Sequence, residues 1–164
     1  MMKRFYPIGV DPKQERKVYL FLLATAAGFS LIWFIQFYHA LGRLYEWDYR
    51  IGDYILRENV MMPPFLDVLA IDLHGFLAIA ISSVLRIVYH YSYFYRGSKS
   101  IYLMRRLPDR MELHRRCITI PMLEAVSALL IAGVLFLLYY WFYIAVTPET
   151  CLIPNQWTGW FGLS

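Results

Sequence analysis

An all-α integral membrane protein with three transmembrane helices is what this sequence predicts, and three observations carry that expectation. The chain holds three long runs that are nearly free of charge. Its 164 residues are 59% hydrophobic and only 17% charged, with a mean hydropathy of +0.43. Its Lys and Arg residues also crowd into two of the segments that flank the runs. Each run is long enough to cross a hydrocarbon core of ~30 Å, so three spans use most of the chain. The segments left between them are too short to hold a soluble catalytic domain.

Residues 1–17 are read as a basic cytoplasmic head and 18–41 as the first span, whose stretch from Val18 to Tyr38 contains no Asp, Glu, Lys, Arg or His. The small residues Ala24, Ala26, Ala27 and Gly28 lie in mid-run with apolar sequence beyond them. That placement favours an anchor over a cleaved signal peptide. Residues 42–64 are expected to be an outer hairpin. The second span is placed at 65–92 although it carries Asp67, Asp72, His74 and Arg86. Residues 93–117 form a basic cytoplasmic loop, 118–146 the third span and 147–164 an outer tail. The third span holds one charged group, Glu124, and its Pro121 is expected in the first helical turn, where a missing amide proton costs little.

Orientation follows from the basic residues, because short segments rich in Lys and Arg resist translocation. Residues 1–17 carry five and residues 93–117 carry seven, against three in 42–64 and none in 147–164. The amino terminus and the 93–117 loop are therefore expected in the cytoplasm, and the hairpin and tail outside. Aromatic residues at the span ends, Trp33 to Tyr38, Tyr89 to Tyr95 and Tyr139 to Tyr143, are expected at headgroup level. The net charge of +4 then reflects topology and anionic lipid, and nucleic acid has no place in the reading.

Ionisable residues inside spans are costly in lipid and usually serve a purpose. Asp72 and His74 either mark a proton or cation path, pack against a larger partner, or seal a polar contact among the spans. Arg86 and Glu124 lie about two turns from the cytoplasmic ends of the second and third spans, so antiparallel packing puts them at one depth. Arg86 either pairs with Glu124 or snorkels to the headgroups. The four histidines fall at unmatched depths, which disfavours two axial haem ligands, and no cofactor, metal ligand or catalytic residue is predicted. Cys117 and Cys151 fall on opposite sides of the membrane, which excludes a disulfide between them.

The cytoplasmic loop carries the most specific pattern. Gly97 breaks the second span, Ser98 or Ser100 can cap a short helix, and Pro108 stops it after Leu107. Asp109 caps again with Glu112 three residues on, so the loop is expected to hold two short interfacial helices joined by a Leu-Pro corner. On composition alone it is equally a plain positive-inside loop.

The series Gly97-Ser98, Leu103, Leu107-Pro108-Asp109-Arg110 and Glu112 resembles the loop between the second and third spans of type-2 ATP-binding-cassette exporter permeases. There a Gly-Thr/Ser, a Leu-rich turn and a Leu-Pro corner form the coupling helix that docks on the ATPase. The order of head, span, outer hairpin, span, basic loop and span is similar to the first half of such a permease. The family usually has six spans, and this chain supplies three. The resemblance implies a small permease-like subunit that assembles with an ATPase subunit and with other membrane permease subunits or a copy of itself. It implies ATPase contacts at Ile101, Leu103, Met104, Arg105, Arg106, Leu107, Pro108 and Arg110. The Walker lysine motif is absent, so hydrolysis would occur in the partner. Two other classes remain open: an accessory or assembly subunit of another membrane complex, and a small lipid-modifying enzyme using Asp67, Asp72 and His74 as acids and base.

Overall fold

The computed structural model describes residues 11–57, 60–69, 71–96 and 110–154. The chain is mostly helical, and three of its helices are long and apolar enough to cross a membrane: Pro12–Gly42, His74–Ser92 and Cys117–Val146. It divides into two compact units, one formed by residues 1–27 with 74–132, the other by 28–73 with 133–164.

Helix α1 (Pro12–Ser30) starts inside the expected cytoplasmic head. The reason is local. Asp11 caps it by accepting from the Lys13 amide at 3.0 Å, and Pro12 occupies the first turn with its fixed φ. A single residue, Leu31, separates α1 from α2 (Ile32–Gly42). The Leu31 amide donates to the Gly28 carbonyl and the Phe34 amide to Leu31, so the helix tightens there at a Gly/Ser pair without ending as a span.

The expected outer hairpin contains a two-stranded antiparallel sheet, a small β component that the all-helical expectation did not include. Strand β1 (Tyr45–Asp48) pairs with β2 (Asp53–Leu56), with Trp47 opposite Tyr54. Between them Asp48 accepts from the Arg50 amide through Oδ1 and from the Gly52 amide through its carbonyl, and Gly52 adopts φ 73°, the left-handed conformation that glycine takes most readily.

The second expected span is not one helix. Helix α3 (Phe65–Leu69) is followed by a turn, and α4 runs from His74 to Arg96. The turn between them buries Asp72 within its unit. The third helix, α5 (Arg110–Val146), begins well before the expected span. Between Arg110 and Cys117 there is neither Gly nor Pro to stop it, so the expected second interfacial helix is the start of the long apolar helix itself. Pro121 is therefore in the helix interior, not its first turn. It leaves the Cys117 carbonyl without its usual i+4 amide donor, a defect that spanning helices tolerate when neighbours pack around it. Both Pro121 and Cys117 are fully buried.

The unit that includes 28–73 is built on aromatic rings. Trp33, Phe37, Ala40 and Leu44 recur at helical spacing and are buried together with Met62, Phe65, Tyr139, Tyr143 and Cys151. Phe65 meets Phe136, Tyr140 and Tyr143 edge to face at 5.2 to 5.6 Å. The Tyr143 hydroxyl donates to the Pro63 carbonyl at 2.6 Å, and the Met62 amide to the Cys151 carbonyl at 2.9 Å. Trp33, Phe37, Tyr139 and Tyr143 thus turn to this core and not outward, while Tyr38 and Trp141 are exposed.

In the other unit small residues let helices approach closely. A Cβ placed on Gly75 of α4 would lie 3.1 Å from the Cβ of Ala26 on α1; Ala80 and Ser83 farther along α4, and Ala125 and Ala128 on α5, are buried as well. Both cysteines are free and buried.

Candidate functional site

The unit containing 74–132 has a seam of polar side chains between apolar surfaces, supplied by three helices. Helix α1 contributes Glu15 and Tyr19, one turn apart; α4 contributes Ser83, Arg86 and His90; α5 contributes Glu124 and Ser127. Each set recurs at intervals of three or four, so each lies along one face of its helix.

Arg86 Nη2 donates to Glu124 Oε2 and, at 2.9 Å, to the Ser83 hydroxyl. The structure thus brings Arg86 and Glu124 together, and the guanidinium turns inward instead of reaching for headgroups. Ser127 donates to the Glu124 carbonyl at 3.0 Å, which leaves its oxygen to accept from the Tyr19 hydroxyl at 2.7 Å. His90 Nε2 lies 3.1 Å from Glu15 Oε1, with the imidazole only 3% exposed. Farther along α4 and α5, the Tyr91 hydroxyl meets His114 Nδ1 at 2.5 Å.

Glu15 and His90 are not among the site residues expected from the sequence. The signal lies in spacing: His90 follows Arg86 by one turn, and Glu15 precedes Tyr19 by one turn. Among the charged members, Glu15, Arg86 and Glu124 sum to one negative charge. Such a seam fastens three helices to each other. Among the described residues no three His, Cys, Asp or Glu side chains come together as a metal site.

Of the other expected residues, Asp67 is exposed on α3 and His74 is exposed at the start of α4. Asp72 is buried, accepts from Gln36 Nε2 at 3.4 Å through one oxygen, and has no partner for the other among the described residues. It precedes the His74–Ser92 span, and burial raises its carboxyl above the ordinary range. Ile101, Leu103, Met104, Arg105, Arg106, Leu107 and Pro108 lie outside the described residues, and Arg110 opens α5.

No family model, curated protein or solved structure matches this chain.

Proposed function

We propose that the chain is a non-catalytic, permease-like membrane subunit of an ATP-binding-cassette exporter. In this reading it sits in the cell membrane with its amino terminus in the cytoplasm, and its 98–116 loop receives the motion of a separate ATPase. One observation supports the coupling role above the rest. Helix α5 runs without a break from Arg110 to Val146, seven residues ahead of the apolar span that begins at Cys117, and α4 extends past Ser92 to Arg96. A continuous helix carries a displacement along its axis, so a push on the loop moves the spans attached to it. Ile101, Leu103, Met104 and Leu107 would enter a groove on the ATPase, with Arg105, Arg106 and Arg110 at its rim. Further permease subunits, or a second copy, would supply the remaining spans that the resemblance implies.

Leu103→Asp should abolish co-purification of the ATPase without reducing membrane insertion, because the residue lies outside the spans. Arg105→Ala should weaken the association mildly, and more at low salt. A reporter active only outside the cytoplasm should work when fused after Ser164 and stay silent after Lys99. If Leu103→Asp leaves the partner bound, or if no ATPase co-purifies in mild detergent, the coupling role fails. The polar seam favours a second reading, an accessory subunit of another membrane complex, since its contacts tie the chain's own helices together and require no catalytic group.

A further inference from the structure

The β1–β2 hairpin has two chemically distinct faces. Side chains directly opposite in an antiparallel pair share a face, so Tyr45, Leu56, Trp47 and Tyr54 lie on one side and Glu46, Ile55, Asp48 and Asp53 on the other. On the acidic side Glu46 accepts from Arg57 Nε at 3.0 Å. On the aromatic side Trp47 and Tyr54 meet edge to face at 5.0 Å, yet Trp47 remains 43% and Tyr54 65% exposed. An isolated two-stranded hairpin is marginal in water, and an aromatic face of this kind needs something to lie against.

Its place in the chain identifies the surface. Strand β1 begins three residues after the apolar helix ends at Gly42, a path of at most about 11 Å even if fully extended. The Arg43 and Leu44 amides bond back to Ala40 and Leu41, which shortens it further. Leu44 is buried in the aromatic core of the same unit, and its carbonyl accepts from the Arg57 amide at 2.8 Å, so both ends of the hairpin are held at the end of that helix. The headgroup zone on each side of a bilayer is about 5–8 Å deep, within reach of that path. Tyr and Trp are the side chains that favour this zone, with an apolar ring toward the chains and a polar atom toward water. Three carboxylates on the opposite face set the orientation, because they remain in water.

We propose that the hairpin lies flat on the bilayer as an interfacial anchor, with Tyr45, Trp47, Tyr54 and Leu56 seated among lipid headgroups and the Glu46, Asp48, Asp53 face in water. The occupant of the aromatic face is the lipid surface. The inference rests on the Pro12–Gly42 helix crossing the membrane, and it is independent of the exporter role and of which side the hairpin occupies.

The test uses the full chain in phosphatidylcholine vesicles, spin-labelled in turn at Tyr54→Cys, Glu46→Cys and Ile35→Cys. The native Cys117 and Cys151 are buried and stay out of reach of the label. Collision with oxygen, which concentrates in lipid, is compared with collision with a water-soluble nickel chelate. The ratio of oxygen to nickel collisions should be several-fold higher at 54 than at 46, and highest at 35 within the span. Leu56→Cys reports the same face if Tyr54→Cys fails to fold. Nickel access equal at 54 and 46 would place the hairpin in water and overturn the proposal. Shielding of 54 from both reagents would reveal a protein cover, a second copy or another partner, and would overturn it as well. Nickel access at 35 would remove the span and the anchor together.

Discussion

Trp33 and Tyr139 stack with ring centroids 4.5 Å apart and planes 7° from parallel, and the Tyr139 hydroxyl reaches Ser30, one turn before Trp33, at its carbonyl oxygen (3.1 Å) and its Oγ (3.0 Å). The ring contributes burial and the hydroxyl a hydrogen bond, and the two can be separated. Tyr139→Phe keeps the stack and should lower stability by about 1 kcal/mol, whereas Trp33→Ala opens a cavity and should cost about 3–5 kcal/mol. Denaturant unfolding of the full chain in detergent measures both.

Arg86 and Glu124 form the central ion pair of the polar seam, with 23% and 9% of their side chains exposed. Removing one partner strands the other, at a cost of about 3–5 kcal/mol for a fully buried pair and less where water reaches the guanidinium. Arg86→Ala should lower the folded yield, and Arg86→Ala with Glu124→Ala should restore part of it. Equal damage from the single and double changes would show that the pair contributes no coupling energy.

Glu15 and His90 tie the first turns of α1 to α4. His90→Ala should free that end of α1 while leaving the aromatic core intact. Amide exchange should accelerate over residues 12–19, by about tenfold for each 1.4 kcal/mol lost, and stay unchanged over residues 33–40. Uniform acceleration across both segments would mean that the contact supports the whole chain.

Gly52 holds φ at 73° with nothing within 4 Å of where a Cβ would sit, so a substitution there meets backbone strain and no steric clash. Gly52→Ala should destabilise the hairpin by about 1 kcal/mol. Gly52→Asn should do less harm, because Asn enters the left-handed region more readily. Exchange of the Ile55 and Arg57 amides, which donate across the hairpin, provides the measurement; equal protection in all three chains would show that the turn does not limit hairpin stability.

The sequence by itself determined that there would be three long apolar helices, because a run of some twenty predominantly apolar residues satisfies its backbone hydrogen bonds within itself only as a helix. It also made the Arg86–Glu124 contact legible, since both lie at a similar distance from the loop that joins their helices. What only the tertiary structure decided is which side chains turn inward. Trp33, Phe37, Tyr139 and Tyr143 read as headgroup aromatics because composition at a span end is the same whether rings face lipid or each other; burial separates the two. The break before His74 and the early start of α5 were equally hidden, since hydropathy reports where a chain is apolar and not where its helix begins. The Glu15–His90 contact joins residues 75 positions apart, and no local pattern names the partner of a lone charge. Three-dimensional packing selects that partner, because a buried charge settles on whichever opposite group the neighbouring helix presents at its depth.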